Sequence, residues 1–338
     1  AAANSAENWQ NIVVSENFDT TKVRGCRFEG CVEIEDNVTL INSTIRNYHI
    51  CADAHIESVT RLECRTASSF GNGVSVAAVN ENGGRAVIIY NELTAQTAYI
   101  VAMYRHRADI AEASNSYAMH YATMMRKNIG TIGAGCKIVG ARFVREVNME
   151  AGTTIEGASL VQNGTLHSGA YIGVDVKAVD FIAAQNSRID LGAIVDHCFI
   201  GENSIVAKGY SAVNSLIFAS AHLENGECCA IFAGPYVVSH HKSSLLIAGM
   251  TPPNPTELLA SEKMQQIIKE LETQYDYVIY DTPPAYIISD AAVLDGIPVL
   301  AVPCAILFHN GHILCGNTQM LPRDLIPDSI LYTGGCCK

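Results

Sequence analysis

The chain has 338 residues, with 22 basic and 34 acidic side chains and a formal net charge of −12. No basic run offsets this charge, so we expect no nucleic-acid surface. No segment is apolar over the length of a membrane span and no signal peptide opens the chain, so we expect a cytoplasmic protein without a membrane span.

Twelve cysteines are scattered along the chain, and no Cys-x-x-Cys pair occurs. Zinc-ribbon spacing is therefore absent. The scatter favours reduced thiols that act as small apolar residues over a disulfide framework.

Residues 1–90 are predicted to form an irregular β-helical section. Phe28, Ile45 and Leu62 are separated by seventeen residues each, and Ile34 and Cys51 are separated by the same step. This is a weaker form of the repeat that becomes regular further along the chain.

Residues 91–127 interrupt that pattern and are predicted to form a helical hairpin. Their apolar spacing fits two helices, which we expect to be separated near residues 114–116, Ser-Asn-Ser. A short basic cluster at residues 104–107 is interpreted as the solvated face of a helix, with an anion site as the alternative.

Residues 128–250 are predicted to form a regular β-helix, because three sets of apolar residues recur at a step of seventeen. The sets are Ile138, Ile155, Ile172, Ile189, Val206 and Leu223; Ile132, Met149, Leu166, Ala183, Ile200 and Ile217; and Val144, Val161, Ala178, Val195, Ala212 and Cys229. Within a repeat the sets are six, six and five residues apart. This spacing predicts a three-sided coil whose inward residues stack into ladders.

Gly, Asn and Asp lie beside the ladder positions, where corners require unusual backbone angles. The sequence thus predicts a mainly β protein, a parallel β-helix with an inserted helical hairpin and a small α/β segment at the C-terminus.

Four strings give this prediction a family resemblance: FGNGVSVAAVNENGGRAVIIY, TAYIVAMYRHR, IEGASLVQNGT and AIFAGPYVVSHHKSSLLIAGM. They resemble an uncharacterised bacterial family of β-helical proteins with hexapeptide repeats, catalogued as a domain of unknown function, over residues 5–250. The resemblance implies a left-handed β-helix with an inserted helical hairpin, and it implies no established activity.

Residues 251–338 differ in character. The strings PPNPTELL and YDYVIYDTPP make residues 252–294 resemble the ATPase domain of bacterial tyrosine autokinases of exopolysaccharide export. That resemblance would place Asp281 near a magnesium ion. However, the chain contains no G-x-x-x-x-G-K-S/T loop to hold phosphates, so we expect no ATP site. The change of family after Met250 suggests a chimera.

The candidate catalytic residues are His240 and His241, because acyl transfer requires a general base with a pKa near neutrality. The candidate ligand-binding residues around them are Lys242, Ser243, Ser244, Glu224 and Asn225. Since His240 follows Leu223 by seventeen residues, the alternative is an inward, hydrogen-bonded histidine. His167 and His197 are interpreted as surface histidines or as histidines satisfied by hydrogen bonds.

The leading functional hypothesis is a transferase of hexapeptide-repeat type that uses an acyl-CoA or a sugar nucleotide, and the resemblance implies a homotrimer. The alternatives are a non-catalytic β-helical scaffold with a protein partner and a degenerate nucleotide-binding ATPase or tyrosine kinase fragment. No metal site is predicted, because His309, His312 and Cys315 match no standard ligand spacing.

Overall fold

The chain divides into two units, Ala1–Met250 and Thr251–Lys338. A computed structural model describes residues 3–80, 84, 86–104, 107–240 and 266, together with the backbone of Leu245–Ile247, Val278–Tyr280, Ile306–His309 and His312–Cys315. In the second unit the last three of these segments form an antiparallel sheet.

Two parallel sheets make up most of the first unit, which is mainly β and consistent with a parallel β-helix. The long sheet contains Ser5–Ala6, Ile12–Val14, Arg27–Ile34, Thr44–Ile50, Arg61–Glu63, Gly130–Ile132, Phe143–Met149, Leu160–Leu166, Lys177–Ala183, Ile194–Ile200, Ser211–Val213, Leu216–Ile217, Glu227–Cys229, Phe232–Ala233 and Leu245–Ile247. The second sheet contains Val23–Arg24, Thr39–Ile41, His55–Glu57, Lys137–Val139, Thr154–Glu156, Tyr171–Ile172, Arg188–Ile189, Ile205–Ala207, His222–Glu224 and Val238–Ser239.

The long strands bend between two sides of the coil at a residue with left-handed backbone angles. Glu146, Asn163, Asp180 and His197, one per coil, have φ between 46° and 52°. Asn and Asp accept this conformation more readily than most residues. These corners let one strand contribute to two sides of the coil.

The predicted ladders are confirmed over the regular coils. In the second sheet Ile155 pairs with Ile138 and Ile172, and Val206 pairs with Leu223. All of these side chains are fully buried. Side chains alternate in direction along a strand, so the residues next to these ladder positions point outward. The inward residues of successive coils therefore stack into one core.

The last coil is one residue shorter than predicted, and two ladder predictions are therefore wrong. Leu223 pairs with Ser239 rather than His240, and Ala212 pairs with Cys228 rather than Cys229. The next inward residue after Leu223 is Cys228, which follows it by five positions instead of the predicted six. Near the N-terminus the same correction applies, since Ile34 pairs with Ile50 and not with Cys51.

Residues 65–129 are an insertion within one coil. Ile50 pairs with Ile132 and Leu62 pairs with Val144, so the coil stack continues across the inserted segment. The insertion holds an antiparallel pair, Ser75–Val76 and Val87–Ile88, and two helices, α1 (Ala95–Met103) and α2 (Ala108–Met125).

The predicted helix break at residues 114–116 is wrong, because α2 runs through them. Each Ser or Asn lowers the stability of a helix by only about 0.5 kcal/mol relative to Ala, and the rest of the helix compensates for this loss. The break between the two helices instead follows Met103, where the first helix ends. That helix begins after Thr94, whose side-chain hydroxyl accepts a hydrogen bond from the Thr97 amide.

The insertion packs on the outside of the coils. A second apolar cluster joins Val87, Ile89 and Val101 of the insertion to Phe199 of the long sheet and to Phe218, which directly follows a strand of that sheet. Two short 3₁₀ helices, Trp9–Asn11 and Thr20–Lys22, precede the regular coils. No helix among the described residues has the length and apolar character needed to cross a membrane.

Thiol labelling can test the burial of the cysteines, since all eight with described side chains are free thiols. Cys198 is fully buried, and burial raises the pKa of its thiol well above the usual range, whereas Cys31 is exposed. In the native protein at pH 7 we expect N-ethylmaleimide to modify Cys31 and to leave Cys198 intact, because the thiolate is the reactive form. Peptide mass spectrometry measures both sites, with protein in urea as the fully labelled control. Equal native labelling of the two residues would contradict this placement of Cys198.

Candidate functional site

A cluster of polar side chains lies on the outer face of the second sheet at its last coils. The strand His222–Glu224 turns Leu223 into the core and leaves its two flanking residues on the outer face. His240 directly follows the next strand, Val238–Ser239, which pairs with His222 and Leu223. Because neighbouring parallel strands lie about 4.8 Å apart, residues from successive coils meet on this face.

Glu224 is at the centre of the cluster. Its Oε1 lies 3.1 Å from Nε2 of His222, and its Oε2 lies 3.6 Å from Nδ1 of His240. Nζ of Lys208 donates a hydrogen bond of 2.6 Å to the same Oε2. The two imidazole rings meet edge to face with centroids 4.5 Å apart.

The carboxyl of Glu224 is held in its ionised form. Its hydrogen bond from Lys208 lowers its pKa below the usual range and outweighs desolvation, and the bond from His222 acts in the same direction. The side chain of Glu224 is only 10% exposed, while those of His240 and Lys208 are 40% and 50% exposed. The nearly buried carboxylate of Glu224 therefore contacts two imidazoles, those of His222 and His240, which are both accessible to solvent.

This arrangement can support proton transfer. A carboxylate that accepts an N–H from an imidazole fixes the ring and leaves the other ring nitrogen free to take up a proton. The ligand atoms of His222, Glu224 and His240 also lie within 4.8 Å of one another, as in a metal site. The Lys208 ammonium opposes that use, because a bound cation would have to displace it from Glu224.

The structure brings some of the predicted site residues together. Glu224 and His240 are in contact, and His240 is exposed, so the alternative of an inward histidine is wrong. Asn225 forms the shortened corner with φ of 54°. Residues 241–244, which include His241, Lys242, Ser243 and Ser244, lie outside the described residues.

Sequence reasoning missed two members of the cluster, Lys208 and His222. Lys208 precedes Glu224 by sixteen residues and His222 precedes it by two. A sequence signal was present only for His222, which lies two positions before Glu224 on one strand and therefore on the same face. Lys208 lies one position beyond Ala207, the residue that pairs in register with Glu224, so the coil step does not align it with the glutamate. Asp281, His309, His312 and Cys315 have side chains outside the described part of the chain.

Two further groups of possible metal ligands occur among the described residues: Glu35, His49 and Cys51, and Asp180, Asp196 and His197. In the first group, burial raises the pKa of the Cys51 thiol, which disfavours the thiolate that a metal requires. The second group lies on a corner of the coil, where His197 contacts both carboxylates.

His167 is buried, with only 6% of its surface exposed, so its interpretation as a surface histidine is wrong. Its Nδ1 is 3.0 Å from Oε1 of Glu150, which satisfies one ring nitrogen as the alternative interpretation expects. The same glutamate accepts a hydrogen bond from the Ser168 amide.

A short segment of the chain is similar to bacterial tyrosine kinases. A Staphylococcus aureus protein named as a candidate tyrosine-protein kinase, CapB, is 50% identical over 50 residues, which are 15% of this chain and 22% of that protein. The tyrosine-protein kinase etk of Escherichia coli (strain K12) is 46% identical over 50 residues, which are 15% of this chain and 7% of that protein. The similarity thus covers a small part of each kinase.

A longer similarity covers most of the chain. An uncharacterized protein of Treponema pallidum (strain Nichols) is 22% identical over an alignment of 295 residues, which covers 73% of this chain and 40% of that protein. The chain therefore spans less than half the length of each of these three relatives. One family model also matches residues 32–252, which are more than half of the chain and include both helices and all the regular coils. The chain accordingly belongs to the family described as Domain of unknown function (DUF4954).

Proposed function

We propose that this chain transfers an acyl or glycosyl group from an acyl-CoA or a sugar nucleotide to a small acceptor. The observation that carries the proposal is the contact of two imidazoles, those of His222 and His240, with the ionised carboxylate of Glu224. Imidazole exchanges protons near neutral pH, and a neighbouring carboxylate stabilises the imidazolium that forms. Such a pair suits proton removal from an attacking hydroxyl or amine.

In the proposed reaction His240 is the general base. When its Nδ1 carries the proton that faces Glu224, its Nε2 holds a lone pair. With an acyl-CoA, the acceptor heteroatom forms a bond to the thioester carbonyl carbon while Nε2 takes the acceptor's proton. The carbon–sulfur bond then breaks, and the proton passes to the departing thiolate. His241 is a second candidate base and Lys242 a candidate ligand for the donor's phosphates.

The proposed architecture is a left-handed β-helix of hexapeptide-repeat type that acts as a cytoplasmic homotrimer. Support for the repeating coil in this proposal comes from the seventeen-residue step and from the tight corners with positive φ. Proteins of that type bind donors between subunits, so the outer face that carries His240 would contribute to a shared site.

Thermal shift and turnover measurements together test this function. We expect acetyl-CoA or a uridine-diphosphate sugar to raise the melting temperature, because a ligand that binds only the folded state stabilises it. With that donor, His240→Gln should keep the thermal shift and lose turnover by roughly 100-fold or more. His55→Gln is the matched control, because His55 is also a partly exposed histidine beside a glutamate, 3.0 Å from Glu57.

Unchanged turnover in His240→Gln would reject the role of this residue. No thermal shift with any donor would reject the transferase. A shift with Mg-ATP alone would instead favour the nucleotide-binding fragment.

A non-catalytic scaffold is the second candidate, and one observation favours it. The inserted helices expose large apolar side chains, among them Tyr99, Tyr117 and Met124, which are 48%, 51% and 60% exposed. Exposed aromatic and methionine side chains grouped on a pair of helices are typical of a surface that binds a protein partner. Absence of donor binding together with loss of a partner in Tyr117→Ser would support this candidate.

A further inference from the structure

Arginines and glutamates alternate along an outer face of the long sheet in its first coils. In one outward column Arg46 pairs in register with Glu29 and with Glu63, and Glu63 pairs with Arg145. The column beside it holds Arg27 at its start. The 65-residue insertion separates Glu63 from Arg145 by 82 positions in sequence, yet their side chains are in contact.

The first carboxylate of this face, Glu29, contacts three guanidinium groups. Nε of Arg27 lies 2.8 Å from its Oε1, and Arg46 and Arg61 each approach its Oε2 at 3.1 Å. Only 7% of the Glu29 side chain is exposed. The glutamate thus lies beneath the arginines and fixes their positions.

The second carboxylate, Glu63, is surrounded in the same way. Arg65 and Arg145 lie 2.9 Å and 2.8 Å from its Oε1, and Arg61 lies 3.7 Å from its Oε2. The Glu63 side chain is 1% exposed, whereas those of Arg65 and Arg145 are 54% and 27% exposed. The solvent-facing part of this surface is therefore formed by guanidinium groups.

We call this surface the arginine patch, made of Arg27, Arg46, Arg61, Arg65, Arg142 and Arg145. Arg142 joins it because its guanidinium and that of Arg145 both lie over the ring of Phe143, at 5.2 Å and 4.5 Å. Two more carboxylates border the patch, since Glu7 contacts Arg46 and Glu146 accepts a hydrogen bond from the Arg65 amide. Six guanidinium groups thus face four carboxylates, and two of those carboxylates are buried.

The arginines of the patch neutralise the buried carboxylates of Glu29 and Glu63, but this role does not use all of their hydrogen-bond donors. A guanidinium has five N–H donors. The ion pairs above use one or two nitrogen atoms in each of five arginines of the patch and none in Arg142. The other donors have no ion-pair partner among the described residues and can bind an external acceptor. Because the buried carboxylates already order the arginine side chains, a ligand would lose less conformational entropy on binding here than at a solvated arginine surface.

We propose that the arginine patch is a binding site for an oligophosphate, a ligand that carries two or more phosphate groups. Guanidinium matches phosphate oxygens with paired hydrogen bonds, which an ammonium group cannot do. The patch extends over four successive coils about 4.8 Å apart, so it is wider than one phosphate. The excess of two positive charges matches a multiply charged anion on a chain whose net charge is −12.

Calorimetric titration of the full chain with sodium tripolyphosphate tests this site. We expect binding that weakens as sodium chloride rises from about 50 to 200 mM, since exposed charges are screened. The double variant Arg27→Gln/Arg65→Gln should weaken binding by roughly 100-fold, about tenfold for each guanidinium group removed. Arg27→Lys/Arg65→Lys should recover only part of this affinity, because lysine keeps the charge without the paired donors.

Arg107→Gln is the control, since Arg107 is 53% exposed and paired with Asp109, but on the inserted helices. It should change tripolyphosphate affinity less than twofold. Three results would overturn the proposal: no tripolyphosphate binding, equal binding by the double glutamine variant with an unchanged melting temperature, or orthophosphate binding as tight as that of tripolyphosphate. None of these readouts depends on transferase activity or on His240.

Discussion

Replacing Ile172 by Ala is expected to lower the free energy of unfolding of the β-helical unit by about 2–5 kcal/mol. Ile172 is fully buried and pairs in register with Ile155 on one side and Ile189 on the other. Truncation leaves a cavity between two coils that cannot close, because backbone hydrogen bonds hold the coils at a fixed spacing. Urea unfolding followed by circular dichroism measures the change.

Ile172→Asp provides the stronger test and Val174→Asp its control. An aspartate at position 172 would bury a charge without a partner, so we expect no cooperative unfolding transition in this variant. Val174 lies two positions further along and is 47% exposed, and its replacement should cost less than about 1 kcal/mol. Equal stability of the two aspartate variants would show that the ladder assignment is wrong.

The sequence predicts the ladders because each coil repeats one geometric constraint. Every inward position must be apolar and must align with its neighbours, so a step of seventeen is visible in residues such as Ile155, Ile172 and Ile189. The shortened corner after Leu223 was not visible. Cys228 and Cys229 fit the apolar position equally well, so composition could not reveal the loss of one residue there.

Contacts between coils explain why the candidate site was predicted only in part. Glu224 and His240 were found because they lie near a dense polar segment of the sequence. Lys208 was missed because it belongs to the previous coil and lies outside that segment. The arginine patch was missed for the same reason, since its members are separated by coil steps and by the insertion.

Substituting Gly164 by Ala is expected to cost about 1–3 kcal/mol of stability, through steric overlap rather than backbone strain. A Cβ atom at Gly164 would lie 2.3 Å from Cε1 of Phe181, with which Gly164 pairs in register. Phe181 is fully buried, so its ring cannot move into solvent. The same fit recurs between Gly130 and the ring of Tyr48, where a Cβ would lie 2.4 Å from Cε1. In both places a glycine leaves space for an aromatic ring of the adjacent coil.

The control for this prediction is Gly234→Ala. A Cβ at Gly234 would meet no atom within 4 Å, so the replacement should stay within about 1 kcal/mol of the parent protein. The double variant Gly164→Ala/Phe181→Leu identifies the cause. If the alanine methyl overlaps the ring, Phe181→Leu should destabilise the Gly164→Ala protein less than the parent, with a coupling free energy of about 0.5–3 kcal/mol measured by urea unfolding. Additive effects would show that the cost of alanine arises elsewhere, because relief of a steric overlap requires that the two substitutions depend on each other.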